Sequence, residues 1–189
     1  DSQFNVMPLS VDKPGTPLHR YSGFTASFWQ CHPESRGTVH IQSPEHTMQP
    51  RINPNYLSNK LDQNVMVSGI RLLRKIHEQP AFRPLWNEEN VIGDERQTDL
   101  EILQAIREMG GTVFHPVGTC RMGSDSSSVL DPQLRVRGIK GLRVIDASVM
   151  PKITAANTNA ATLMVGEKGS SMILKETNLR NSITSEEIL

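Results

Sequence analysis

Apolar positions at helical spacing predict two long helices in the chain. Between residues 61 and 78, apolar side chains recur every three or four positions, which is the pattern of a helix with one buried face. Pro80 follows this run and is expected to end the helix. Helical character returns over residues 159–174, where small side chains predict close approach of another backbone. These small residues are Ala160, Ala161, Gly166, Gly169 and Ser170.

A shorter helix is expected over residues 99–109. Thr98 and Glu101 have the spacing of a capping box, in which each side chain binds the other residue's backbone N–H at the helix N-terminus. The apolar positions of this helix share one face, so Leu103 and Ile106 should point toward the core.

Alternating and β-rich runs predict a small antiparallel sheet. Residues 2–10 alternate crudely between apolar and polar side chains, and residues 24–31 and 36–41 are rich in β-forming side chains. The turn-like residues 32–35 separate the last two runs, which predicts that these runs pair as an antiparallel hairpin. Residues 43–59 contain three prolines, so a long irregular connection on the surface is expected there.

Two short apolar runs predict buried strands in the C-terminal half. They are residues 112–115, which follow two glycines, and residues 142–145, which lie between a glycine and an aspartate. Residues 11–21 and the polar tail 175–189 show no period, so a loop and a mobile tail are expected.

Charge and composition exclude several classes of protein. The chain has 189 residues, with 20 Lys and Arg balanced by 20 Asp and Glu, so the basic surface of a nucleic-acid binder is not expected. Cys31, Cys120 and the six histidines show no metal-ligand spacing, which predicts free thiols and no metal site. The chain contains neither a long apolar run nor a signal-peptide pattern, so no transmembrane segment or signal is expected in it.

Two places in the sequence carry candidate chemistry. His115 precedes a Pro and Gly bend, where an imidazole can point into a cleft and act as a base, although a single histidine at such a place more often has a structural role. Asn157, Thr158 and Asn159 come before the small-residue helix and place amide groups at its N-terminus, which favours negative charge. A helix cap with a turn is the competing interpretation of these three residues.

The order and spacing of several segments resemble the C-terminal signature of the glucose-methanol-choline oxidoreductases. The segments are residues 115–123, 129–134, 136–151 and 157–159. Upstream, residues 32–37 and 50–57 with Asp62 are similar to the substrate-domain hairpin and following loop of that family. The resemblance covers nearly all of residues 3–175, and the Asn-Thr-Asn sequence is similar to that of choline-dehydrogenase-like bacterial members.

The resemblance implies an FAD-dependent alcohol oxidoreductase, either a dehydrogenase or an oxidase, that converts a primary or secondary alcohol to a carbonyl. His115 matches the active-site histidine of the family, which takes the hydroxyl proton while a hydride passes to flavin N5. Asn157 matches the paired second catalytic position. An imidazolium and an amide donor both suit the stabilisation of an alkoxide as it develops.

The resemblance also implies how FAD is held. Asp146 and Ala147 match contacts with the ribityl and pyrophosphate region, and Thr158 and Asn159 match positions near the flavin pyrimidine ring. The family binds FAD mainly through an N-terminal βαβ unit with a Gly-rich turn, and this chain has no such unit. The chain is therefore expected to be a C-terminal fragment that does not hold FAD tightly and is inactive by itself.

The same resemblance implies an α+β fold with an antiparallel sheet and packed helices. Residues 1–118 correspond to the substrate-binding domain, residues 119–175 to a segment that returns to the FAD-binding domain, and residues 176–189 to a polar tail. Without their sheet partners, residues 129–175 are expected to expose apolar surface, which favours disorder, dimerisation or rearranged packing. The implied partners are a small-molecule alcohol, the FAD-binding N-terminal half and, in a homo-oligomer, a second copy, with the parent protein in the cytoplasm or at a membrane.

Two other classes of protein are alternatives. A serine hydrolase would use the serine-rich residues 124–128 near His115, but these residues fit a solvated turn better because the chain has no G-x-S-x-G elbow. A non-catalytic binding module would present aromatic side chains as a recognition surface. These side chains are Phe24, Phe28, Trp29 and Trp86.

Overall fold

The computed structural model describes residues 2–12 and 15–186, with side chains up to Thr177. The chain forms two compact units, Asp1–Val113 and Phe114–Leu189. The strands are β1 Ser2–Met7, β2 Thr25–Gln30, β3 Thr38–His40 and β4 Arg51–Asn53, and the α-helices are α1 Lys60–His77, α2 Asp99–Met109 and α3 Asn159–Glu186. Short 3₁₀ helices span Arg83–Leu85 and Ala147–Val149. Small antiparallel sheets with packed helices confirm the predicted α+β class.

The helices begin where local sequence signals predict. The Asn59 side chain caps α1, because its Oδ1 accepts a hydrogen bond from the Leu61 N–H at 2.8 Å. At α2 the predicted capping box is confirmed: Thr98 Oγ1 accepts from the Glu101 N–H at 3.3 Å, and Glu101 Oε2 accepts from the Thr98 N–H at 2.9 Å. α3 begins at Asn159, as expected.

The strands pair differently from the prediction. β1 pairs antiparallel with β2, which places Phe4 opposite Phe28 with 5.0 Å between their ring centroids. β3 pairs antiparallel with β4. The predicted hairpin between residues 24–31 and 36–41 is therefore wrong, and residues 43–59 are not irregular throughout because they contain β4.

The buried carboxylate of Asp62 explains the course of the chain after β2. Its Oδ1 accepts a hydrogen bond from the Glu34 N–H at 2.9 Å, and its Oδ2 accepts one from the Ser35 N–H at 2.7 Å and another from the Ser35 hydroxyl. Asp62 lies in the first turn of α1. The segment after β2 therefore docks on this helix, and the next strand, β3, pairs with β4.

The two strands predicted for the C-terminal half are also wrong. Residues 112–115 are irregular, and Phe114 has a φ of 60°, a left-handed conformation that an extended strand excludes. Within residues 142–145, the structure has an isolated bridge between Arg135 and Arg143 and no regular strand.

The last helix continues beyond the predicted residue 174. The backbone of α3 is helical to Glu186, so residues 175–186 extend the helix beyond its predicted end, and residues 187–189 lie outside the described residues. The Glu176 carboxylate accepts hydrogen bonds from Arg135 and, at 2.8 Å, from Arg143 Nη2. These two guanidinium groups lower the pKa of Glu176 and tie the helix to the segment before it.

The core of the first unit lies where α2 packs against α1. Its buried members are Val67, Ile92, Ile102, Leu103, Ala105 and Ile106. The prediction that Leu103 and Ile106 face the core is confirmed. On α1, Gly69 provides the space into which the Phe28 ring of β2 packs, because a Cβ at this position would overlap the ring.

Gly69 and Gly166 form a matched pair of helical glycines for which substitution by alanine should have opposite effects. Gly69→Ala is expected to lower the free energy of unfolding by about 1–3 kcal/mol, because the methyl group overlaps Phe28. A Cβ at Gly166 would meet nothing within 4 Å, so Gly166→Ala should raise stability by roughly 0.5–1 kcal/mol. Urea unfolding of the two variants tests this, and a change of the same sign in both would contradict the packing described.

The second unit has a separate core beneath α3. Its buried members are Leu130, Leu134, Val149 and Val165, with Cys120, Met122, Val136, Val144 and Ile145 packed against them. A Cβ on Gly169 would lie 2.5 Å from Ile145 Cγ2, so the close neighbour of the helix there is a side chain and not the predicted backbone. The packing of Val165 with Val149 holds α3 against the 3₁₀ helix Ala147–Val149.

The four aromatic side chains of the proposed recognition surface are half-buried, and several of them pack against other rings. Phe28 contacts Phe4, and the rings of Phe24 and Trp86 are 6.3 Å apart. Trp29 is also half-buried. These side chains contribute to packing, which disfavours the alternative of an aromatic recognition surface.

Candidate active site

His115 lies in an irregular segment at the start of the second unit. The residue is half-buried and makes no hydrogen bond or ion pair within the part of the chain that the structure describes. Phe114 before it is 75% exposed, so the phenylalanine ring is not part of the core cluster of this unit. The imidazole is therefore partly sheltered, and its two nitrogens are available to a ligand.

The predicted bend after His115 is present. Gly118 has a φ of 89°, and its carbonyl accepts a hydrogen bond from the Arg121 N–H at 3.2 Å. A Cβ on Gly118 would lie 3.3 Å from the Met150 carbonyl oxygen. Both the left-handed backbone and the close approach favour glycine at this position.

Backbone hydrogen bonds join this bend to a second candidate segment. The Cys120 N–H donates to the Ser148 carbonyl at 3.1 Å, and the Met122 N–H donates to the Val149 carbonyl at 2.8 Å. The segment that follows His115 therefore runs beside the 3₁₀ helix that begins at Ala147. Candidate catalytic and cofactor-binding residues that are separated in sequence are brought to neighbouring backbone segments.

The Asp146 carboxylate is held by a neighbour that the sequence analysis did not identify. Asp146 is exposed, and its Oδ1 accepts hydrogen bonds from the Ser148 N–H at 2.7 Å and from the Ser148 hydroxyl. Asp146 thereby caps the 3₁₀ helix Ala147–Val149. The Asp-x-Ser spacing is the signal that could have revealed this contact.

The Asn-Thr-Asn segment forms the start of α3. Thr158 is buried, and its carbonyl accepts hydrogen bonds from the Thr162 N–H at 2.9 Å and from Thr162 Oγ1 at 2.8 Å. Asn157 and Asn159 are exposed on either side of it. The first N–H groups of an α-helix have no partner within the helix, so this end can donate to an electron-rich ligand edge.

The structure brings some of the predicted site residues together and leaves others apart. Ala147 and the N-terminal half of α3 belong to elements in contact, while no hydrogen bond joins the His115 imidazole to the Asn157 amide in the described part of the chain. Neither of these two side chains has a hydrogen-bond partner within the described residues. The exposed donors at the start of α3 suit the carbonyl-rich edge of the flavin ring, and the Asp146 carboxylate suits the hydroxyl groups of the ribityl chain.

The serine-rich turn has a different role from that of a hydrolase nucleophile. Asp125 accepts hydrogen bonds from Arg121 Nη1 at 3.0 Å, from Arg121 Nη2 at 2.9 Å and from the hydroxyls of Ser127 and Ser128. The Arg121 guanidinium, followed by the two hydroxyls, lowers the pKa of Asp125. These serines serve to close a turn, and no hydrogen bond connects either of them to His115 in the described residues.

Comparison with known proteins identifies the family of this chain. The profile described as GMC oxidoreductase matches residues 33–166. The chain belongs to the GMC oxidoreductase family, as the sequence resemblance indicates.

Curated relatives support the same family. Over 177 residues, the chain is 38% identical to the alcohol dehydrogenase (acceptor) of Pseudomonas putida, covering 94% of this chain and 32% of the relative. Over 171 residues, it is 39% identical to the oxygen-dependent choline dehydrogenase of Escherichia coli O157:H7, covering 90% of this chain and 30% of the relative. The chain therefore spans about a third of the length of these curated relatives.

Solved structures of related oxidoreductases share the fold. The pyridoxine 4-oxidase from Mesorbium loti superposes with a TM-score of 0.76 and 31% identity, covering 84% of this chain and 31% of that structure. An FAD-dependent oxidoreductase from Chaetomium thermophilum gives a TM-score of 0.78 and 30% identity, covering 82% of this chain and 27% of that structure. Among the residues described for this chain, no helix has both the length and the apolar character needed to cross a membrane.

Proposed function

We propose that this chain is the substrate-facing part of an FAD-dependent oxidoreductase that oxidises a primary or secondary alcohol to a carbonyl, with His115 as the catalytic base. The observation that carries the proposal is the half-buried His115 imidazole, which has no hydrogen-bond partner in the described residues and precedes a bend fixed to the segment 146–150. The related proteins include an alcohol dehydrogenase, a choline dehydrogenase and an aryl-alcohol oxidase, which supports a hydroxyl group as the site of reaction.

In this proposal, His115 and Asn157 act on the same substrate oxygen. The His115 imidazole accepts the hydroxyl proton as the C–H bond breaks, and the protonated ring then stabilises negative charge on that oxygen. The Asn157 amide donates a second hydrogen bond to the developing alkoxide. A donor that is already in place costs little reorganisation, and Asn157 adjoins a helix start fixed by the two hydrogen bonds to the Thr158 carbonyl.

FAD, when bound, supplies the acceptor for the hydride that leaves the substrate carbon. Asp146 and Ala147 would hold its ribityl and pyrophosphate region, because the Ser148 contacts fix this stretch of backbone. Thr158 and Asn159 would lie near its pyrimidine ring, where the positive end of α3 favours negative charge. We also propose that residues 1–118 belong to a substrate-binding domain and that residues 119–175 complete an FAD-binding domain.

The proposal can be tested on the full-length protein that contains this chain. The purified protein should show the visible absorption of bound flavin, and a panel of primary and secondary alcohols should be added without oxygen. We expect at least one alcohol to bleach the flavin and to yield the corresponding aldehyde or ketone. A protein that binds no flavin, or whose flavin no alcohol reduces, would overturn the assignment.

Asn159→Asp should lower the reduction potential of the bound flavin. The added carboxylate would lie at the first residue of α3 and oppose negative charge on the reduced cofactor. A loss of about 1–2 kcal/mol corresponds to roughly 20–40 mV for a two-electron couple. Dye-coupled redox titration measures the shift, with the neutral Asn159→Gln as control; equal shifts in both variants would contradict a charge effect.

A further inference from the structure

A buried histidine ends α1 inside an aromatic cluster that the proposed chemistry does not use. His77 is 7% exposed, and the Trp86 ring stacks on its imidazole with 4.5 Å between centroids and an interplanar angle of 26°. Phe24 and Phe82 meet the imidazole edge-on at 5.3 and 5.5 Å. We refer to Phe24, His77, Phe82 and Trp86 as the His77 cluster. Its members join the last turn of α1 to the segment before β2 and to the connection between α1 and α2.

One nitrogen of the His77 imidazole is unpaired within the described part of the chain, and the ring borders a cavity. Its Nε2 atom is buried and has no hydrogen-bond partner among the described residues. A cavity of about 140 Å³ adjoins it. The cavity is lined by Arg74, His77, Glu78, Trp86, Asp94 and Gln97. An aromatic cluster accommodates a neutral imidazole, while a cationic imidazole with a buried and unpaired N–H would lose its hydration.

The charged groups around His77 do not provide an ion pair for its protonated form. Arg74 and Glu78 face the cavity from α1, and Asp94 faces it from the connection between the helices. Glu89 attracts a positive imidazole but is already bound to Arg74, whose Nε is 2.8 Å from Glu89 Oε2. Burial therefore lowers the pKa of His77, and the attraction to Glu89 only partly opposes this effect. Phe24 and Phe82 add no charge, and Gln97 is neutral.

The same helix end anchors the connection between α1 and α2. Arg74 lies one turn before His77 and donates hydrogen bonds to Glu89, to the Gly93 carbonyl at 3.1 Å and to the Arg96 carbonyl at 2.8 Å. The connection is also attached to α1 by the hydrogen bond of Arg71 to the Gln97 carbonyl and by Ile92 in the core. Near residues 78–88 the attachment is aromatic, through the contacts of Phe82 and Trp86 with His77. Loss of these contacts would leave the two rings with Phe24 as their aromatic neighbour.

We propose that His77 is a pH-sensitive latch that holds the connection between α1 and α2 closed while its imidazole is neutral and releases Trp86 when the imidazole is protonated. In the open form the imidazole reaches water and binds a proton at its ordinary pKa near 6.5. The open form binds more protons than the closed form, so closure is complete above this pH and weakens as the pH falls below it. One proton changes the closed-to-open ratio by at most about tenfold per pH unit.

Hydrogen exchange of the full-length protein, followed by mass spectrometry between pH 7.5 and 5.5, tests the latch. After correction for the pH dependence of intrinsic exchange, peptides from residues 78–88 should lose protection by up to about tenfold per pH unit below 6.5. The α2 peptide 99–109 is the internal reference and should keep its protection. His77→Phe, which retains an aromatic ring and does not titrate, should remove the pH dependence, and His77→Gln should do so if the phenylalanine variant does not fold.

A second measurement requires no variant. Deuterium exchange at the imidazole C2 position reports the protonation of each histidine in the wild-type protein. His77 should become protonated in the same pH range in which residues 78–88 open. The proposal is overturned if His77 protonates while these residues stay protected, if His77→Phe opens with the same pH dependence as wild type, or if α2 opens together with them as in global acid unfolding.

Discussion

Replacing His115 with alanine is expected to lower the rate of anaerobic flavin reduction by about 10²- to 10⁴-fold while the full-length protein keeps its FAD. This range is typical for the loss of a positioned general base. Its basis here is a half-buried imidazole without a hydrogen-bond partner in the described residues, held just before a bend that the segment 146–150 fixes. Stopped-flow absorbance with the best alcohol of the panel gives the rate, and the visible spectrum gives the flavin content.

His46 provides the matched control for this prediction. Its side chain is 90% exposed and contacts Glu45 at 3.1 Å, so His46→Ala removes an imidazole from a solvated position. The rate of flavin reduction of this variant should stay within about twofold of wild type, which corresponds to a change of about 0.4 kcal/mol in activation free energy. If the His115→Ala variant binds FAD and its rate of flavin reduction is less than about tenfold below that of wild type, His115 is not the base.

Asp62→Ala should destabilise the protein by about 2–4 kcal/mol, because it leaves buried donors without an acceptor. Asp62 is 3% exposed and accepts hydrogen bonds from the Glu34 N–H, the Ser35 N–H and the Ser35 hydroxyl. Asp99 is the matched control, since it also lies in the first turn of a helix but is 76% exposed and paired with Arg71. Asp99→Ala should cost no more than about 1 kcal/mol in urea unfolding. Equal losses would show that the Asp62 contacts contribute little.

The same carboxylate should make stability depend on pH in the acid range. Burial of Asp62 acts to raise its pKa, but the Glu34 N–H, the Ser35 hydroxyl and the Ser35 N–H together lower the pKa below its ordinary value of 3.8. The unfolded chain therefore takes up the proton first as the pH falls. The stabilisation is fully present above about pH 4 and is lost as the pH falls through the lower value of the folded state.

Unfolding measured at several pH values separates this contribution from the other carboxylates. Asp62→Asn cannot titrate, so the difference in unfolding free energy between wild type and this variant should shrink as the pH falls from 5 toward 3, about the range set by the ordinary aspartate pKa. A difference that stays constant over this range would show that Asp62 is not held as a carboxylate in the folded protein.

Local signals were sufficient to predict the helices, and non-local contacts account for the errors in the strands. The capping box spans only the four residues from Thr98 to Glu101 and predicts the start of α2. The structure confirms that α2 begins directly after Thr98. β2 pairs with β1, and the turn-like residues that follow β2 bind Asp62, which lies 27 positions from Ser35. Strand pairing of this kind is decided by contacts that a window along the sequence does not contain.

The local structure around the candidate site was only partly predictable. His115 and the bend at Gly118 follow from the sequence and its resemblance, but the strand expected before them is absent because Phe114 has a left-handed backbone. An apolar run is equally consistent with a strand or with a segment whose backbone turns. The Ser148 contact to Asp146 was not predicted, because a 3₁₀ helix of three residues is too short to show a periodic pattern that would mark its N-cap.

The hydrogen bonds of Arg135 and Arg143 to Glu176 set a minimal length for this chain in protein engineering. Glu176 is about 25 Å from the start of α3, given 1.5 Å per residue, yet it is the acceptor shared by Arg135 and Arg143. A protein trimmed before this residue would place two guanidinium groups near each other without their shared counter-ion. Like-charge repulsion would then act on the segment that packs beneath α3, so the useful C-terminal boundary lies beyond residue 176.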